Sequence, residues 1–112
     1  MDMTDRELLE LAAKAAGMPA PYDEHGIFTA WIGAGEGGHW WSPLENDGDA
    51  LRLAVDLSLQ VKPCETGVDV CDEAGDEVWC EFTEPNSCHY QMTRRAIVCA
   101  AAEIGKAMQE QH

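Results

Sequence analysis

The chain has 112 residues, of which 21 are Asp or Glu and 7 are Lys or Arg, so its formal net charge is −14. This charge repels nucleic-acid phosphates and anionic membranes, and it favours basic protein surfaces or cations as partners. The length and the hydrophobic content of 46% are typical of one domain with a modest core. We therefore expect a single domain over residues 1–112 that binds neither nucleic acid nor membranes directly.

Two features of the sequence predict a cytoplasmic protein. The longest uncharged apolar stretch, residues 96–102, is far shorter than a membrane-spanning helix, and the acidic N-terminal region lacks the basic segment of a signal peptide. The cysteines number five, and an odd number argues against a disulfide framework and for reduced thiols.

A first helix is predicted over residues 5–16. Thr4 and Glu7 have the spacing of a capping box, and Gly17 is a typical helix stop. Residues 18–44 then hold five of the ten glycines and most of the aromatic residues, which predicts a long aromatic, glycine-rich connection. Within it, residues 26–32 and 39–41 are candidate strands of a hairpin that turns between Gly33 and Gly38.

The rest of the chain predicts two more helices and a small sheet. Asn46 and Asp47 are candidate N-caps for a helix over residues 48–59, in which Leu51, Ala54, Val55 and Leu59 recur at helical spacing. Three β-like runs follow at residues 58–62, 67–71 and 77–82, with a tight hairpin at Ala74 and Gly75. A final helix, rich in alanine on one face, begins at residue 87 or 90 and ends near residue 108. The predicted fold class is α+β, with three helices packed on an antiparallel sheet of about three strands.

Separated blocks of this sequence resemble one family. The blocks are TDRELLELAAKAAG (4–17), WSPL (41–44), NDGDALRLAV (46–55), TRRAIV (93–98) and AAAEIGKAM (100–108). They resemble small proteins without an established activity that are encoded by tailed phages and prophages of Pseudomonas, Burkholderia and related bacteria. The resemblance covers both ends and the middle helix. It implies a phage accessory protein in the cytoplasm of a bacterial host.

The acidic middle of the chain is the first candidate binding surface. Residues 36–84 contain thirteen acidic residues and two basic ones. Carboxylates spaced along strands can imitate the phosphate rows of DNA and occupy a basic groove of another protein, whereas the alternative is a solvated surface that maintains solubility. The candidate partner-binding carboxylates are Asp69, Asp72, Glu73, Asp76, Glu77 and Glu81.

Three tryptophans are the second candidate. Trp31, Trp40 and Trp41 lie in the glycine-rich connection, where indole rings can anchor a protein interface or fold inward and close one end of the core. Adjacent Trp40 and Trp41 point to opposite sides of a strand, so one of them is a candidate for contact with a partner.

Arg94 and Arg95 form the only pair of adjacent basic residues. They are predicted either to form salt bridges with the acidic strands or with Glu45 and Asp47, or to bind an anion or nucleotide. If the two arginines bind an anion or nucleotide, the alternative function is a small-ligand-binding protein that sequesters a nucleotide-like molecule.

The sequence gives little support to a metal, a cofactor or catalysis. Candidate metal ligands are present, but no two cysteines have the short Cys-x-x-Cys spacing of zinc sites. They are Cys64, Cys71, Cys80, Cys88, His39 and His89. Cys88 and His89 are neighbours, but adjacency alone does not place a nucleophile on a base. We therefore expect no metal, no cofactor and no enzymatic activity.

The function hypothesis from the sequence is a non-enzymatic, acidic binding protein that docks on a basic host protein and inhibits or redirects it. Host takeover and anti-defence inhibition, including DNA mimicry, are the settings implied by the resemblance. A structural homo-oligomer that packs through its alanine-rich last helix is a further alternative.

Overall fold

The computed structural model describes residues 4–18, 41–82 and 88–109 in full, and the backbone of residues 22–24, 27–29, 31–32, 39–40 and 110. Within these residues the fold is α+β, as predicted, with three helices and a three-stranded antiparallel sheet. The elements in chain order are α1 (Asp5–Ala15), β1 (Tyr22–Glu24), β2 (Ile27–Thr29), β3 (Trp31–Ile32), β4 (His39–Trp40), α2 (Asp47–Asp56), β5 (Gln60–Cys64), β6 (Gly67–Cys71), β7 (Glu77–Phe82) and α3 (His89–Glu110).

The first helix begins and ends where its sequence predicts, within one residue. The Thr4 hydroxyl accepts a hydrogen bond from the Glu7 amide at 3.2 Å, which satisfies an otherwise unpaired N–H in the first turn. Gly17 adopts a positive φ of 71°, and the Met18 amide donates to the Ala13 carbonyl at 2.9 Å. This is the hydrogen-bond pattern of a Schellman motif, and glycine is the residue that adopts its left-handed conformation at the lowest cost.

The second helix ends earlier than predicted. Asn46 caps its start by accepting from the Asp49 amide, but the helix stops at Asp56 because Ser58 takes a positive φ of 54°. The Leu59 amide then donates back to the Ala54 carbonyl at 2.9 Å, which is again a Schellman closure. The predicted helix over 48–59 and strand over 58–62 are therefore corrected, and β5 begins at Gln60.

The packed face of α2 includes Ala54, one of the residues predicted at helical spacing, but not Leu51 or Val55. Ala50, Leu53 and Ala54 are buried, whereas Leu51 is 63% exposed and Val55 is 68% exposed. Leu51 and Val55 are four residues apart and lie on one side of the helix. These two apolar side chains are therefore largely exposed to solvent.

The main sheet has the strand order β5-β6-β7, with all neighbours antiparallel. The turn between β6 and β7 includes Ala74 and Gly75, as predicted, and the Asp72 amide donates to the Asp76 carbonyl at 2.8 Å. Val68 and Val70 of the central strand pack against α3 with Ala96 and Ala100. Their neighbour Asp69 points to the opposite, outer face, because side chains alternate along a strand.

The segment between α1 and α2 contains two small antiparallel pairs. β1 pairs with β2, and β3 pairs with β4 with Trp31 opposite Trp40. The pairing of β3 with β4 agrees with the predicted hairpin. The predicted turn between Gly33 and Gly38 lies outside the described residues.

The last helix is the centre of the core. It runs over His89–Glu110, close to the predicted bounds, and it contacts α1, α2, β6 and β7. Its residues 96–102 are all buried, and most of them are alanine. At Gly105 the helix meets α1 so closely that a methyl group would overlap the Leu11 carbonyl oxygen. In the part of the chain that the structure describes, no helix is both long and apolar enough to span a bilayer.

Replacing Gly105 by alanine should destabilise the protein. Alanine is about 1 kcal/mol better than glycine inside a helix, but here its methyl group must push α1 away from α3, and overpacking typically costs about 1–3 kcal/mol. We expect a net loss in the free energy of unfolding measured by urea denaturation. Lys106→Ala, on the neighbouring exposed position, is the control and should change it by less than about 0.5 kcal/mol. A Gly105→Ala variant as stable as the parent would contradict this account of the helix contact.

Candidate functional site

Five of the six predicted partner-binding carboxylates lie at the β6–β7 hairpin. We call Asp69, Asp72, Glu73, Asp76 and Glu77 the acidic hairpin. Asp72 shapes the turn, since its Oδ1 accepts from the Asp76 amide at 2.9 Å. Glu73, Asp76 and Glu77 are exposed. The short turn thus carries four carboxylates close together in sequence, and the fifth, Asp69, lies on the outer face of β6 with a carboxylate oxygen within 4.8 Å of one of Glu77.

Glu81 is separate from the acidic hairpin. It lies opposite the buried residue Val68, so its side chain is on the sheet face that packs against α3. Its Oε1 accepts from the Trp79 indole N–H at 3.1 Å. The prediction that Glu81 shares one docking surface with the other carboxylates is therefore corrected.

The outer face of the sheet brings one predicted metal-ligand candidate next to two carboxylates. The ligand atoms of Asp69, Glu77 and Cys80 all lie within 4.8 Å of one another. Asp69 and Cys80 are directly opposite in the register. Their hydrogen bond is the main reason that the pKa of Cys80 rises to about 11, so the thiol keeps its proton at neutral pH. The other predicted metal-ligand candidates are not part of this cluster, and the side chain of His39 lies outside the described residues.

The remaining cysteines have contrasting environments, and all five thiols are free. Cys64 is exposed, and the hydroxyl of Thr66, 3.5 Å from its sulfur, lowers its pKa. Cys99 is buried in α3, and desolvation is the main cause that raises its pKa from 9.0 to about 11. Cys64 therefore has the more reactive thiol, because the thiolate is the nucleophile.

Arg94 and Arg95 point to different parts of the molecule. Arg94 donates from Nε to the Leu44 carbonyl at 3.0 Å and from a terminal nitrogen to Asp47 at 2.6 Å, as one of the sequence hypotheses expected. Arg95 instead binds Asp5 at 3.0 Å, which links the first turn of α1 to α3. Adjacent helical residues diverge by about 100°, and the two guanidinium groups do not form a common anion site.

Only Trp41 of the three predicted anchor tryptophans has a described side chain. It is 3% exposed and packs in the core with residues of α1, α2 and α3. Trp41 is therefore removed from the expected partner-contacting set, in agreement with the alternative that it closes the core. The side chains of Trp31 and Trp40 lie outside the described residues.

The structure contains an open cavity of about 390 Å³ that the sequence did not predict, and we call it the apolar groove. It lies between α2, β5 and the first turns of α3, and its size is within the range of ligand-binding pockets. Its lining includes Ala50, Leu51, Val61, Pro63, Tyr90 and Ile97, with Asp47 and Arg94 at the rim. The available signal was Leu51, one of the apolar residues that recur at helical spacing in α2.

A scan against protein-family models and searches of curated proteins and of solved structures found no match to this chain.

The raised pKa of Cys99 predicts a pH dependence of stability. The folded protein holds this thiol proton more tightly than the unfolded chain does, so the unfolded chain ionises first as the pH rises. The stabilisation is complete below about pH 9 and is lost towards pH 11. The free energy of unfolding, measured by urea denaturation at several pH values, should fall more steeply over this window for the parent than for Cys99→Ala. Parallel curves would show that Cys99 has no such linkage.

Proposed function

We propose that this chain is an acidic, non-enzymatic binding protein that docks on a basic surface of a host protein and blocks or redirects it. The observation that supports the proposal is the acidic hairpin, in which a tight turn carries four carboxylates and the fifth, Asp69, lies on the outer face of the adjoining strand. Like charges placed this close destabilise the free protein, and a cationic partner relieves that repulsion.

The proposed mechanism is electrostatic and steric. Lysine and arginine side chains that line a nucleic-acid-binding groove attract the hairpin over a distance set by the ionic strength. Once docked, the carboxylates occupy the positions that phosphates would take, so the partner is blocked. The favoured target class is therefore a nucleic-acid-binding protein, and no direct contact with nucleic acid is proposed.

The biological setting comes from the resemblance to phage and prophage proteins. A host-takeover or anti-defence inhibitor that acts in the bacterial cytoplasm is consistent with a small acidic protein of this kind. This setting makes a bacterial lysate the appropriate source of candidate partners.

The alternatives differ in which residues they require. A protein that sequesters a nucleotide-like ligand through Arg94 and Arg95 has to use two side chains that are each already bound to a carboxylate. A homo-oligomer that packs through the small residues of α3 has to use residues 96–102, which are buried within one chain. Both arrangements favour the docking hypothesis over its alternatives.

The test is affinity capture from bacterial lysate with the parent and with a hairpin variant. The variant carries Asp72→Asn, Glu73→Gln, Asp76→Asn and Glu77→Gln, which removes four charges. The asparagine at position 72 keeps an oxygen that can accept from the Asp76 amide. The parent should capture a basic protein at low salt and release it near 1 M salt, where the Debye length is about 3 Å. The hairpin variant should not capture it.

A matched control removes the same number of charges elsewhere. Glu7→Gln, Glu10→Gln, Glu45→Gln and Asp56→Asn are all at exposed positions away from the acidic hairpin. This control should capture the same protein as the parent does. Equal losses in both variants would indicate an effect of net charge alone, and capture that resists salt would overturn the electrostatic mechanism. Thermal unfolding of both variants verifies that they remain folded.

A further inference from the structure

The apolar groove has a floor that is already part of the core. Ala50 of α2 and Ile97 of α3 are buried at its base, and Val61 of β5 is half-buried beside them. These side chains cannot move outward without disrupting the packing of α2 against α3. The groove is therefore preformed, so the binding of a ligand requires little free energy to reorganise the protein.

The rim of the groove exposes apolar surface that the fold does not use. Leu51 on α2 is 63% exposed, and Tyr90 on α3 is 74% exposed on the other side. Clustered exposed apolar side chains of this size mark interaction sites more often than scattered ones do. An apolar side chain placed between Leu51 and Tyr90 would be covered on both flanks.

The accessible charge at the rim is negative. Arg94 is only 18% exposed, and its guanidinium is bound to Asp47 and to the Leu44 carbonyl, whereas the Asp47 side chain is 74% exposed. Arg94 thus holds Asp47 in place and leaves its carboxylate open to a second cation. The exposed ring of Tyr90 attracts cations through its π face as well.

The net charge selects among possible occupants. A second copy of this chain also carries −14, so pairing two copies through the groove is opposed by charge repulsion, and an anionic membrane is repelled in the same way. A cationic partner is attracted. The occupant that fits both the apolar lining and the negative charge is therefore an apolar side chain with Lys or Arg beside it.

We propose that the apolar groove binds a segment of a basic protein in which one or two aliphatic side chains are flanked by Lys or Arg. The aliphatic side chains lie between Leu51 and Tyr90, and a flanking cation contacts Asp47 and the Tyr90 ring. This inference rests on the proposed function, and it adds a second contact that supplies specificity where the acidic hairpin supplies long-range attraction.

The test uses three synthetic hexapeptides and the full ¹⁵N-labelled chain in an NMR titration. The first peptide has two central leucines flanked on each side by two lysines. The second replaces both leucines by serine, and the third replaces all four lysines by glutamate. The leucine–lysine peptide should shift the amides of Leu51, Tyr90 and Ile97 and bind at least about tenfold more tightly than the serine peptide, a difference of about 1.4 kcal/mol. The glutamate peptide should not bind.

Two variants with matched exposure locate the contact. Leu51→Ser should reduce binding of the leucine–lysine peptide to the level of the serine peptide. Val55→Ser changes a similarly exposed position on the same helix that is not part of the groove lining, and it should leave binding unchanged. Both substitutions are at exposed positions, so the fold should tolerate them. Amide spectra of the variants without peptide, compared with that of the parent, verify this.

The outcomes separate this inference from the proposed function. If the serine and leucine peptides bind equally, with shifts confined to the acidic hairpin, the groove inference is wrong and the electrostatic proposal stands. If the glutamate peptide binds in the groove as well as the lysine peptide does, the partner is apolar rather than basic and the inference is also wrong. If neither lysine peptide binds anywhere, both proposals are contradicted.

Discussion

The close approach of α1 to α3 is the contact on which the rest of this structure depends. Gly105 has no side chain where the Leu11 carbonyl reaches α3, and the buried alanines of residues 96–102 keep the remaining surface of α3 shallow. Around these small residues, α1, α2 and the sheet all pack directly on α3. A helix with larger side chains would hold these layers apart, and a chain of this length has too few other apolar residues to fill the space.

This arrangement also determines which surfaces remain for binding. α3 is covered by α1 on one side and by β6 and β7 on another. Its residues 96–102 are therefore buried in the core. The exposed features lie elsewhere: the apolar groove is where α2 and β5 meet the first turns of α3, and the acidic hairpin is at the β6–β7 turn. The apolar groove and the acidic hairpin are thus consequences of one packing solution, and they lie on different elements.

Local signals in the sequence were sufficient to predict the elements that have local causes. The Thr4 cap, the Gly17 stop and the β6–β7 turn depend on residues within a few positions of each other, and all three are confirmed. The early end of α2 was missed because Ser58, which is not a typical left-handed residue, adopts the conformation that glycine normally takes. The sequence did not predict that Leu51 is exposed, and it grouped Glu81 with carboxylates that lie elsewhere on the sheet. Both side-chain positions depend on tertiary contacts. The groove forms where α3 packs beside α2 and β5, which are distant from it in sequence, so no local pattern predicts it.

The outer strand β5 has one more consequence. An edge strand exposes unpaired main-chain N–H and C=O groups. Another chain can pair with them, and such pairing is a common origin of fibril growth. Here Pro63 has no amide hydrogen to offer, and Lys62 places a charge beside it in the same strand. An incoming chain therefore finds a poor template for extending the sheet at the β5 edge. High local concentrations of this protein should consequently not favour fibril growth from this edge.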